Sequence, residues 1–174
     1  MVGYVSLEAQ VDADFSRAHR KALIRRVRTR LRRDAASNRL LCFDDLRKIP
    51  GALGSIYRGV RTVPVAQIGG SVGRCSEFDR AFMPAKESVG ERWKRVDRAF
   101  HRGQELRPVS LYKVGSYYFV LDGHHRVSVA HYHGVEWIDA YVTEFDTTGA
   151  GVWSERRARE SARSRYQKRR TEDV

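Results

Sequence analysis

The stretch PVSLYKVGSYYFVLDGHHRVSVAHYHG, residues 108–134, constrains the fold more than any other part of the chain. Residues 109–114 and 117–122 are short apolar and aromatic runs joined by Gly115-Ser116, the signature of a β-hairpin. The second run passes straight into a helical pattern over residues 124–133, with His133-Gly134 as its stop. Only Gly123 separates strand from helix. The first helical amides then have no partners inside the helix and point back at the end of the strand. A chain built around such a junction belongs to the α+β class, with the hairpin in a sheet and the helix packed on it.

The remaining elements read less sharply. Residues 12–36 form a helix in this reading, with Asp12, Asp14 and Ser16 as its N-terminal acids and cap. Phe15, Ala22 or Leu23, Val27 and Leu31 make its apolar stripe. A short helical turn stopped by Pro50-Gly51 follows. Residues 60–68 alternate like a strand, and 69–74, GGSVGR, form a glycine-rich turn. Residues 90–102 are an amphipathic helix with Trp93, Val96, Ala99 and Phe100 on one face and Gly103 at its end. A last strand lies near 137–144, and 150–170 form a second basic helix. Trp93, Phe100, Tyr118, Val120 and Val129 are core candidates. Phe78 and Phe82 either pack a long loop or cover a site as a lid. Trp153 would dock the C-terminal helix. Three segments result: a basic helical N-terminal extension, 1–58; a central domain, 59–147; and a basic C-terminal helix, 148–174.

Charge divides along the same lines. Residues 17–33 hold nine Arg or Lys and no acid, and 155–170 hold eight against two acids. Residues 34–154 hold sixteen basic and fourteen acidic residues, so the centre is nearly neutral. Basic flanks on a neutral domain favour a polyanionic partner. Arg25, Arg26, Arg28, Arg30, Arg32, Arg33, Arg156, Arg157, Arg169 and Arg170 are the candidate nucleic-acid contacts; the alternative is two solvated helices in an Arg-rich chain. No aromatic residues interleave with these arginines in the manner of a base-stacking surface. No run of eighteen apolar residues occurs, so no membrane partner is expected. The first residues carry acids where a secretion signal carries basic ones. Cys42 and Cys75 fit no metal-ligand spacing. The expectation is a cytoplasmic protein, associated with the nucleoid if the flanks hold DNA, with both thiols reduced.

The chemistry concentrates at Asp122-Gly123-His124-His125-Arg126. Gly123 permits close approach or a positive φ. A helix N-terminus carries partial positive charge and free amides, which suit phosphate. His124, His125 and Arg126 add donors. Asp122 serves as metal ligand, histidine partner or helix cap. The purely structural alternative is a capped helix whose Arg126 pairs with a local acid. A zinc site from His124, His125, His131 and His133 is disfavoured, because successive helical residues diverge by roughly 100°.

The run from VPVAQI through the glycine-rich turn, PVSLYKV and YYFVLDGHHR resembles the ParB/sulfiredoxin superfamily over residues 60–145, about half the chain. This group includes the N-terminal domain of ParB partition proteins, sulfiredoxin and the ParB-like free serine kinases. The resemblance implies a small mixed sheet whose strand-end motif cradles nucleotide phosphates, of CTP in ParB and of ATP or ADP in the others. It implies Gly123, His124, His125, Arg126 and Arg74 as phosphate-binding residues. Where sulfiredoxin has a nucleophilic cysteine this chain has His124, which argues against sulfinic-acid reduction. ParB carries a GERR-type motif at the junction, and DGHHR is closer to the kinases. About thirty residues follow position 145, and no ParB-type helix-turn-helix and dimerisation domain is expected among them.

Two functions follow as expectations. One is a ParB-like module that binds CTP or ATP with Mg²⁺ and holds nucleic acid through its flanks, with hydrolysis as a switch. The other is a small-molecule phosphotransferase, for which Glu77 and Asp79 are the preferred bases, with Glu87 and Glu91 behind them and Asp122 as metal or histidine partner. The alternative role for Glu77 and Asp79 is pairing with nearby Arg74 and Arg80. A ParB-like nuclease is disfavoured for want of a carboxylate cluster at the junction.

Overall fold

The computed structural model describes residues 6–34, 38–46 and 54–145. It is a mixed α+β protein with a six-stranded mixed sheet and three principal helices. The strands are β1 (Leu41–Cys42), β2 (Ser55–Pro64), β3 (Ile68–Ser71), β4 (Val109–Val114), β5 (Tyr117–Asp122) and β6 (Trp137–Phe145). The helices are α1 (Leu7–Leu31), the single turn α2 (Phe43–Leu46), α3 (Gly90–His101) and α4 (His124–His133). The sheet order is β1-β3-β5-β4-β6-β2. β4 and β5 pair antiparallel, as the hairpin pattern requires, while β3 runs parallel to β5 and β6 parallel to β4.

The hairpin, α3, α4 and β6 fall where the sequence places them. The N-terminal third does not. α1 begins at Leu7, capped by the Ser6 hydroxyl, which accepts from the Ala9 amide at 3.2 Å. Asp12 and Asp14 are therefore inside the helix, and Asp14 is buried. The docked face is Val11, Asp14, Phe15, Ala18 and Ala22. Leu23, Val27 and Leu31, expected on the apolar stripe, are 42%, 57% and 80% exposed. Steps of four residues overshoot a 3.6-residue turn, so that stripe winds off the docked face. Arg25, not Leu23, continues it, bonding the buried Asp79.

The expected strand 60–68 is two strands in different places. Pro64 ends β2 at the sheet edge beside β6. A 3-10 turn over Val65–Gln67 then carries the chain to β3, beside β5. GGS of the expected turn is β3 itself, with the turn at Val72-Gly73. Gly70 has a packing reason: a Cβ there would lie 2.1 Å from Cδ1 of Phe119. β2 starts at Ser55, so the boundary expected at residue 58 falls inside a strand. The C-terminal helix, Trp153, Arg156, Arg157, Arg169 and Arg170 lie outside the described residues.

The core lies between the sheet and the helices. Trp93, Phe78, Phe82, Ile68, Leu111, Val120, Val127 and Val129 are almost wholly buried in it. Phe78 and Phe82 are thus packing residues and not a lid. Buried polar groups are satisfied in series, as burial demands. The Trp93 indole N–H donates to Ser128 Oγ at 2.9 Å, and the Ser128 hydroxyl donates to the Phe82 carbonyl. Cys42 and Cys75, expected as reduced thiols, are joined as a disulfide between β1 and the loop after β3, with Cα atoms 5.8 Å apart. The sheet brings side by side two residues that lie far apart in sequence.

Candidate functional site

α4 starts where β5 ends, and Gly123 makes the corner with φ of 93°. A side chain there would also meet Val109 Cγ1 at 2.6 Å. Among the described residues no side chain caps the helix, which leaves its first-turn amides open. Beside them lies a cavity of about 210 Å³ lined by Arg74, Arg92, Val96, Leu121, Asp122, Gly123, His124, His125 and Arg126. Three arginines from three separate elements and one helix N-terminus thus face a common space.

The side chains divide into scaffold and open groups. His124 is scaffold. It is 4% exposed, and its Nε2 lies 2.8 Å from Ser71 Oγ. Ser71 Oγ in turn accepts the Arg74 amide at 3.2 Å, and a further bond from His124 reaches the Val120 carbonyl. These bonds are consistent with a proton on Nδ1 and a Ser71 hydroxyl that donates to Nε2. Burial first, then the Arg74 charge, pushes the His124 pKa down to about 4. Arg126 is also largely scaffold. Its Nη1 donates to the carbonyls of Arg107 at 2.6 Å and Pro108 at 2.9 Å, and its Nη2 pairs with Asp122 at 2.7 Å. This is the local-acid pairing weighed from the sequence, and it ties the start of β4 to α4.

His125 differs. Both ring nitrogens are shielded from solvent and have no hydrogen-bond partner among the described residues. Phe78 meets the ring edge-on at 5.5 Å. Burial, and then Arg74, drive its pKa down to about 4 as well, with Arg92 adding to the effect. Arg92 is exposed and makes no ion pair or hydrogen bond among the described residues. Among the described residues, the Arg74 side chain pairs only with Glu77, at 3.3 Å and partly exposed. At neutral pH both histidines are uncharged, and the arginines outnumber Asp122 at the cavity wall.

The expected bases separate. Glu77 does not line the cavity but pairs with Arg74, which does, at 3.3 Å. Asp79 does not face the cavity's open groups: it is 3% exposed, and its Oδ1 accepts the Ala81 and Met83 amides, each at 2.9 Å. Its Oδ2 takes the guanidinium of Arg25, not that of the neighbouring Arg80 expected from the sequence. Of the candidate nucleic-acid contacts, Arg25 is committed to this pair, whereas Arg26, Arg28, Arg30, Arg32 and Arg33 are exposed. Arg92 is the residue that sequence reading missed. Its position in the first turn of α3, one residue before buried Trp93, was the available signal. No protein-family model and no curated protein matches this chain. Among the described residues, no helix is long and apolar enough to cross a membrane.

Proposed function

We propose that the cavity at the start of α4 binds the phosphates of a nucleotide, and that the chain is a ParB-like nucleotide-binding module. The observation that carries this reading is the uncapped N-terminus of α4 opening under Arg74, Arg92 and Arg126. Backbone amides of His124, His125 and Arg126 would hold phosphate oxygens, as helix N-termini do. Arg74 and Arg92, the cations least committed elsewhere, would supply charge-assisted bonds. His125 would offer its unpartnered ring. Gly123 would let the phosphate approach the backbone. Mg²⁺ would arrive with the nucleotide, with exposed Asp122 at the mouth of the cavity to meet it. In this reading the exposed arginines of α1 contact nucleic acid through phosphates, with little sequence preference and steep salt dependence. A phosphotransferase variant would have Glu77 as its base, since Asp79 is bonded elsewhere.

Calorimetric titration of nucleic-acid-free protein with CTP, ATP, ADP and GTP plus Mg²⁺ tests the proposal. Binding of one or more of them that is lost in Arg92→Ala supports it. CTP selectivity favours a ParB-like switch, and adenine selectivity favours phosphoryl transfer. Absence of binding to all four overturns the nucleotide reading.

A further inference from the structure

A second constellation lies at the other end of α4, roughly 15 Å from the first by helix rise. Asp14 of α1, Asp97 and His101 of α3, and His133 of α4 each offer one ligand atom, all within 4.8 Å of one another. His101 Nε2 lies 2.9 Å from Asp14 Oδ2 and 3.5 Å from Asp97 Oδ2. His133 Nε2 lies 2.7 Å from Asp97 Oδ1. The two carboxylates are 5% and 0% exposed. Tyr132 donates to Asp14 Oδ1 at 2.8 Å, and Arg17 approaches the same oxygen at 3.5 Å. The fourth carboxylate oxygen, Asp97 Oδ2, is buried with no hydrogen-bond donor among the described residues. Buried acceptors of this kind are rare unless something satisfies them. The cluster is one donor short at this oxygen.

We propose that these four residues bind a divalent transition-metal ion of the zinc type. Two imidazole nitrogens and two carboxylate oxygens form a borderline donor set that suits zinc. Calcium and magnesium favour oxygen ligands in larger number. Metal–ligand bonds of about 2.0–2.2 Å in a tetrahedron place ligand atoms roughly 3.3–3.6 Å apart. The contacts of 2.7 and 2.9 Å would open to that spacing, and the wider separations in the cluster, up to 4.8 Å, would close toward it. Each Nε2–H bond to a carboxylate is replaced by a nitrogen–metal–oxygen link, and each neutral ring carries its proton on Nδ1. The ion's two positive charges balance the two carboxylates. Four protein ligands close the coordination shell, which makes the site structural and not catalytic. It staples the basic helix α1 to α3 and α4. This inference does not rest on the nucleotide reading.

The test uses the full chain, stripped of metal by a chelator and re-equilibrated with Zn²⁺ alone or Co²⁺ alone. The expected results are one Zn²⁺ per chain by elemental analysis, a raised melting temperature, and the strong visible bands of tetrahedral Co²⁺, bleached by Zn²⁺. His101→Gln, at a partly exposed position, weakens Zn²⁺ binding at least tenfold, as does His133→Gln. His19→Gln, outside the cluster, leaves it unchanged. Should a variant fail to fold, the Co²⁺ spectrum of the unaltered chain decides alone. Wild-type affinity in both variants, or no uptake and no Co²⁺ band in the unaltered chain, overturns the proposal and leaves a hydrogen-bonded clasp.

Discussion

The two ends of α4 use the same residue type in opposite surroundings. At its start, His124 and His125 sit among arginines beside open helix amides, and both are held neutral. At its end, His133 joins His101 against two buried carboxylates. One end collects positive potential and the other negative. A helix dipole runs in the same sense, positive at its start and negative at its end. The difference shows that a histidine's role here is set by what the tertiary structure places around it. Six histidines in a sequence say little; two among arginines and two among aspartates say much.

The largest expected effect lies at the cationic end. Arg74→Ala with Arg92→Ala should weaken nucleotide binding about 100-fold or more, since each charge-assisted bond contributes roughly 1.5–3 kcal/mol. Zn²⁺ uptake should not change, and calorimetry of both ligands checks the separation. Gly123→Ala comes next. It combines a positive φ with a clash on Val109, and should cost about 3 kcal/mol of stability, read from denaturant unfolding. Acid should then act on this end. His124 and His125 titrate near 4 when folded and near their ordinary value of 6.5 when unfolded. Between those values the unfolded chain binds more protons, so their contribution is intact above pH 6.5 and is lost progressively down to about 4. The loss should reach about 3 kcal/mol for the buried His124, less in His124→Gln, by unfolding at stepped pH. Bound phosphate should favour protonated His125, so nucleotide affinity should rise as pH falls from 7.

The smallest effect sharpens the division between scaffold and ligand. Arg126→Ala should lower stability by about 1–2 kcal/mol, because it frees two carbonyls and Asp122. It should weaken nucleotide binding less than Arg92→Ala does. The reverse order would make Arg126 the principal anion ligand.

The cationic end was partly legible in the sequence, and the anionic end was not. Residues 117–126 lie in one continuous strand-to-helix segment, so local rules of alternation, glycine corner and helix start locate the site. Arg92 escaped because only tertiary packing brings the first turn of α3 over that corner. Asp14, Asp97, His101 and His133 come from three helices, and each has an ordinary local meaning. Asp14 reads as a helix-start acid and His133 as part of a helix stop. A carboxylate in an amphipathic helix gives no sign that it faces inward. The same limit explains the misread start of α1 and the split of β2 from β3, where Pro64 was the cue and the alternation across it concealed the break.

The most direct measurement is a ring-nitrogen correlation spectrum of the six histidines in the ¹⁵N-labelled full chain, titrated separately with Mg²⁺-nucleotide and with Zn²⁺. Nucleotide is expected to move His125, and His124 less, while Zn²⁺ moves His101 and His133. Shifts of the same histidines by both ligands, or of neither pair by its own ligand, would contradict it.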